Sequence, residues 1–340
     1  MAIRRTKTVL LLALAAGALA IVASGCGGGN NESGGGTPAA TTPPADTGTA
    51  AGGDLSGSIE ADGSSTVGPL TTAAAEEFGK ANSGVKITVG ISGTGGGFER
   101  FCAGETDLSD ASRPIKDEEA AICQQNGIEY TEFQVATDAL TVVTNKENTW
   151  VTCMTVDQLK KIWEPAAEGT ITNWNQVDPS LPDQKLVLAG PGTDSGTFDY
   201  FTGVVNGEEG ASRADYTASE DDNVIVQAVA GDKGGLGYFG YSYYEQNQET
   251  LNALQIDSGS GCVSPSKETA QDGTYAPLAR PLFIYVKNES FKRPEVEAFL
   301  KYILDNNQSI TESALFIPLT DEQRQQAETD FQTALSSVGG

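Results

Sequence analysis

The chain has 340 residues, with 21 basic and 46 acidic side chains, five cysteines and no histidine, and its formal charge is −25. Nothing so acidic neutralises the phosphates along a duplex, so nucleic acid is excluded as a partner. Without histidine or any Cys-x-x-Cys, neither a zinc nor a dithiol redox site is expected, and no metal or cofactor is implied.

The chain begins with Arg4, Arg5 and Lys7, followed by an uncharged apolar run from Val9 to Ala23. That run is short for a membrane span and ends in small residues, so residues 1–25 read as a secretory signal. Ala23-Ser24-Gly25-Cys26 resembles a bacterial lipobox. The resemblance implies that Cys26 is lipidated and anchors the exported protein to the cell membrane, with its folded part in the periplasm or on the outer surface. The alternative is an ordinary signal cleaved near a cysteine. Without the signal's three basic residues, 18 basic side chains face 46 acidic ones, a formal charge of −28. Residues 26–53 are Gly, Thr, Pro, Ala and Asn with almost no large apolar side chain, which predicts a flexible tether.

From about Leu55, short apolar strand candidates alternate with helical patterns. Ser58–Ala61 and Lys86–Ile91 read as strands flanking a helix at Leu70–Lys80. Further strands are expected at Ala139–Thr144, Leu186–Ala189, Leu236–Tyr241 and Leu282–Val286, and further helices at Val156–Trp163, Ser195–Val205, Asp222–Ala230 and Pro294–Asn306. This alternation predicts an α/β fold with mainly parallel mixed sheets flanked by helices. The apolar strands around Ala139–Val143 and Pro281–Val286 fit two crossovers. They would join one lobe of residues 54–138 and 281–340 to a second of residues 139–280, with a ligand cleft between. Setting Cys26 aside leaves Cys102, Cys123, Cys153 and Cys262, an even set expected to form disulfides outside the cytoplasm. Three pairings are open, and proximity favours Cys102–Cys123 with Cys153–Cys262.

Three segments share one design, a strand, a Gly/Ser/Thr loop and then a helix. They are Asp62–Pro69, Gly90–Phe98 and Gly190–Phe198. Each sets hydroxyls and unpaired amides at a helix N-terminus, where the macrodipole favours an anion. Singly, such loops are ordinary caps and turns; three together suit a small oxyanion. Asp110 and Arg113 follow the second loop. An arginine fork suits a tetrahedral oxyanion, and an aspartate accepts a hydrogen bond from one that keeps a proton, as phosphate does and sulfate does not. A surface ion pair is the bland alternative.

Ser64-Ser65-Thr66, the Ser-Gly-Thr-Gly-Gly-Gly run from Ser92, Ser109-Asp110-Ala111 and Ser195-Gly196-Thr197 resemble the ligand loops of periplasmic phosphate-binding proteins, the receptors of Pst-type phosphate ABC importers. The resemblance spans the chain beyond the tether. It implies two lobes of the class II periplasmic-binding type around inorganic phosphate, and a monomeric receptor that serves the permease subunits of an importer. By position it implies ligands among Ser65, Thr66 (hydroxyl), Val67 (amide), Ser92 (hydroxyl), Ser195, Gly196 and Thr197, with Asp110 as proton acceptor. Many members carry an arginine where this chain has Pro191, and Arg113 is the expected replacement.

No enzyme is expected. Thr193 and Thr197 stand where a Gly-x-Ser-x-Gly elbow needs glycines, and there is no histidine to act as base. The Gly-rich run from Gly93 lacks the lysine of a P-loop. Glu220-Asp221-Asp222 lacks calcium-loop spacing and reads as a helix start. The aromatics Tyr238, Phe239, Tyr241, Tyr243 and Tyr244 read as packing. The competing function is a receptor for sulfate, molybdate or tungstate, or a phosphate sensor or adhesin on the same scaffold.

Overall fold

In a computed structural model that describes residues 55–339, the chain opens with β1 (Ser56–Gly63), α1 (Gly68–Ala81), β2 (Gly84–Ile91), α2 (Gly93–Cys102), β3 (Leu108–Ala111) and α3 (Asp117–Gln125). The expected signal, Cys26 and the tether lie outside the described residues. β4 (Tyr130–Asn145) is followed by β5 (Cys153–Thr155), α4 (Val156–Trp163), α5 (Trp174–Val177), β6 (Val187–Gly190) and α6 (Gly196–Phe201), whose end runs into a π-helical turn at Thr202–Asn206. Next come β7 (Thr217–Ala218), α7 (Asp222–Ala230), β8 (Gly235–Gly240), α8 (Tyr241–Gln246), β9 (Leu251–Ala253), β10 (Gln255–Asp257), β11 (Cys262–Val263) and α9 (Lys267–Gln271). β12 (Ala279–Lys287), α10 (Pro294–Asp305), α11 (Asn307–Ser313) and α12 (Asp321–Val338) complete the described chain.

Local chemistry explains the main helices. In α1 the buried positions Leu70, Ala74 and Phe78 recur every four residues, giving one apolar face, and Pro69 sits in its first turn. α4 and α12 each start with a reciprocal cap, Thr155 with Gln158 and Thr320 with Gln323. Tyr241, expected to end a strand, instead begins α8 after Gly240.

The strands form one large sheet in the order β2-β1-β3-β12-β4-β8-β6-β7, with β9 also on β4, and a small sheet β11-β10-β5. The large sheet is parallel at its two ends, where β1 pairs with β2 and β3, and β6 with β7 and β8. Its middle is antiparallel, because β12 and β4 run against each other and against their outer neighbours β3 and β8. β12 pairs with β4 along its whole length and with β3 from Phe283 to Val286. β4 lies beside β12 as far as Ala139, then beside β8 from Leu140.

Buried side chains fall into two main clusters. One draws Ile59, Leu70, Phe78, Phe133, Ile284, Phe299 and Phe331 from the two ends of the chain. The other draws Leu140, Leu159, Trp163, Phe201, Tyr238 and Tyr275 from its middle. Tyr238 and Phe239 are fully buried in packing, and the Tyr238 ring stacks on Phe201 at 3.7 Å between centroids. Both favoured disulfides are present. Cys102–Cys123 ties α2 to α3, and Cys153–Cys262 ties β5 to β11.

Candidate functional site

All three Gly/Ser/Thr segments adopt the expected strand, loop and helix arrangement, as β1–α1, β2–α2 and β6–α6. The ends of β1 and β3 meet first. Gly63 has φ +145°, and a Cβ there would lie 2.1 Å from the Asp110 carbonyl oxygen, so only glycine permits this approach. That contact brings the Ser64 amide to the Asp110 carbonyl at 2.9 Å. The Ser64 hydroxyl then accepts the Thr66 and Val67 amides at 3.1 and 3.4 Å, shaping the turn into α1.

The second loop is held by Asp62, whose carboxylate accepts the Ser92 amide at 3.0 Å and is paired with Arg100. In the third loop the Ser195 hydroxyl accepts the Thr197 amide at 3.2 Å as a helix cap. The first and third loops touch. A Cβ on Gly196 would lie 2.6 Å from the Thr66 hydroxyl oxygen, so a bare glycine lets the start of α6 reach the start of α1.

Between these loops lies a cavity of about 890 Å³. Of the residues expected to bind, Ser65, Thr66, Ser92, Arg113 and Gly196 line it. Val67 is fully buried, and neither it nor Ser195 nor Thr197 is part of the lining. Asp110 lies beneath the lining with no exposed surface. Its Oδ1 accepts the Thr71 hydroxyl at 2.8 Å, and its Oδ2 is a buried oxygen without a partner. Burial, opposed by the Thr71 hydrogen bond and reinforced by the charge of Asp62, pushes the Asp110 carboxyl up to about 7.

The two arginines at the cavity differ. Arg113 gives Glu119 a two-pronged pair at 2.7 and 2.8 Å and donates also to the Pro114 carbonyl, so its fork is engaged within its own segment. Arg280, which the sequence reading passed over, donates to the Thr66 hydroxyl at 3.0 Å and to Asp138 at 3.2 Å. Its guanidinium lies 3.7 Å from the Tyr200 ring centroid, and its side chain is 14% exposed. The one local signal was a lone cation in front of Pro281 at the head of an apolar strand. Thr71 and Asp62 were also missed, since nothing in the chain marks which helical threonine or strand aspartate turns inward.

A sheet with clustered cores and three helix starts converging on one polar cavity is the architecture of a binding protein. Residues 40–307 match the PBP superfamily domain, and the chain belongs to that superfamily. Within it, the chain is 49% identical over 266 residues to Protein SphX of Synechocystis sp., covering 78% of this chain and 79% of that one. It is 41% identical over 289 residues to the phosphate-binding protein PstS of Staphylococcus saprophyticus, covering 83% and 88%. The crystal structure of a possible phosphate binding protein from Planctomyces limnophilus superposes with a TM-score of 0.80 at 46% identity, covering 83% of this chain and 99% of that one.

Proposed function

We propose that the chain captures inorganic phosphate outside the cytoplasmic membrane and delivers it to an ABC importer, binding without chemistry. The observation that carries this reading is the Asp110 carboxylate, which is fully buried beneath a cradle of hydroxyls and helix starts and has one oxygen without a partner. An unpaired acceptor is costly in a buried site, and an oxyanion that retains a proton is the ligand that satisfies it. A fully deprotonated oxyanion meets the same carboxylate as a repelling charge, which favours phosphate over sulfate, molybdate or tungstate. The relatives named PstS support the same ligand.

In this reading Ser65, Thr66 and Ser92 offer hydroxyls, and Gly196 offers its amide. Asp110 accepts a hydrogen bond from the proton the ligand retains, while Val67, Ser195 and Thr197 shape the helix starts around it. The two cores act as lobes, residues 54–138 with 281–340 and residues 139–280, which close over the ligand about β4 and β12. Residues 1–25 act as a signal, Cys26 carries a lipid, and residues 26–53 tether a monomeric receptor close to its permease. No helix among the described residues is long and apolar enough to cross a membrane.

Calorimetric titration of the full chain with phosphate, sulfate and molybdate near pH 8, where the Asp110 carboxyl is ionised and phosphate still keeps a proton, tests the ligand. Tight binding of phosphate with sulfate at least about 100-fold weaker is expected. Equal saturation by sulfate overturns the role given to Asp110.

A further inference from the structure

A doubly charged oxyanion held out of water needs a compensating cation, and three cationic side chains among the described residues line the cavity, Arg113, Lys116 and Arg280. Lys116 is exposed, and Arg113 is paired with Glu119. We propose that Arg280 is the cation that binds the oxyanion, delivered by the crossover strand β12 rather than by any of the three loops. The inference rests on the phosphate reading above and deepens it.

Four observations converge on Arg280. Its Nη2 donates to the Thr66 hydroxyl, itself a candidate ligand on the cavity wall. Its Nε donates to Asp138, the residue directly opposite it in the β12–β4 register. Its plane lies against Tyr200, a ring of α6 that also lines the cavity. Two hydrogen bonds use two of its five N–H donors, and the other three have no acceptor among the described residues. A guanidinium clamped by a carboxylate and an aromatic face, yet with most of its fork unspent, is preorganised for a ligand that accepts in pairs.

The placement couples charge to closure. Thr66 belongs to the loop leading into α1, Tyr200 to α6, and Arg280 with Asp138 to the two crossover strands. Arg280 therefore touches the first loop, the third helix and the hinge together. An anion bound to it draws both sides of the cavity onto one group. The Arg280–Asp138 pair is neutral as a unit, so a cation sits in the cleft without leaving a bare positive charge when the ligand departs.

The test is calorimetry of the full chain with inorganic phosphate, comparing wild type with Arg280→Gln, Arg280→Lys and Asp138→Asn. Arg280→Gln should weaken phosphate by about 100-fold or more, and Arg280→Lys by less, since it keeps the charge but loses the fork. Asp138→Asn should weaken phosphate far less than Arg280→Gln, because the guanidinium keeps its charge, its Tyr200 contact and its free donors and loses only one partner that orients it. A purely structural clasp predicts instead that Asp138→Asn and Arg280→Gln weaken binding alike, and that result overturns the proposal. Nitrogen-15 spectra of the wild-type arginine side chains give a readout that does not depend on any variant folding. Phosphate should shift the Arg280 Nη signals, and unmoved signals at saturation overturn the proposal. Wild type that fails to bind phosphate defeats the phosphate reading and this inference together. Phosphate binding in wild type with Arg280→Gln within about threefold defeats this inference alone.

Discussion

Arg113 and Arg280 border one cavity, but their surroundings are opposite in kind. Arg113 stands at the rim with a partner six residues along the chain, and the pair closes on itself. Burial raises the Glu119 carboxyl, but the Arg113 fork and the Lys116 amide outweigh that and hold it below the usual range. Arg280 stands inside, and its partners come from three distant elements. The carboxyls nearby go the other way. Burial lifts both Asp138, against the pull of Arg280, and Asp110. The contrast teaches that a local ion pair satisfies itself and has little left for a ligand, whereas charges gathered by the fold keep unspent hydrogen-bonding capacity.

The largest expected effect tests the interior side of this contrast through pH. The folded chain holds the Asp110 proton up to about 7, while the unfolded chain releases it near 3.8. The folded state therefore binds more protons across that window, and stability falls as pH rises from about 4 to about 7, then levels off. Asp110→Asn removes that decline, so the unliganded variant should exceed wild type by on the order of 4 kcal/mol above pH 8 and match it near pH 4. Chemical denaturation across pH measures the difference, and parallel curves would show that the carboxylate is not buried as described. The rim pair gives the reverse slope. The depressed Glu119 stabilises above its ordinary pKa, and that contribution disappears as pH falls.

A second prediction concerns the contact that closes the interior. Gly196→Val drives carbon against the Thr66 hydroxyl, so phosphate affinity should fall on the order of 100-fold, with a loss of about 1–3 kcal/mol of stability from overpacking. Retained affinity would mean that the α1 and α6 starts do not meet around the ligand. A third prediction is smaller. Asp110→Asn should weaken phosphate by about tenfold while sulfate binding improves, because the amide no longer repels a deprotonated anion. The smallest effect belongs to the rim, where Arg113→Ala should change phosphate affinity by less than about threefold. A loss there as large as for Arg280→Gln would erase the distinction between the two arginines.

The parts of the site that were legible in the chain were those made by neighbours in sequence. Ser65, Thr66, Ser92 and Gly196 belong to strand–loop–helix units whose glycines, hydroxyls and apolar flanks lie within a dozen residues of each other, and all four line the cavity. The cysteine pairing was legible because proximity ranks three alternatives. Arg280 was not legible, since 214 residues separate it from Thr66 and only the β12–β4 pairing sets it opposite Asp138. The antiparallel middle of the sheet was hidden for the same reason. An apolar, β-branched strand reads alike whichever way its neighbour runs.

By itself the sequence determined the α/β alternation, an even set of cysteines available for disulfides, the three anion-favouring helix starts and the acid Asp110 near them. Each follows from composition or short-range chemistry, namely side-chain periodicity, caps, glycine turns and cysteine count. Tertiary structure decided that Asp110 is buried with an oxygen unpaired, that Gly196 meets Thr66, and that Arg280 rather than Arg113 keeps an unspent fork. Those outcomes depend on which strands pair and which surfaces lose water, and a fold-wide packing sets both.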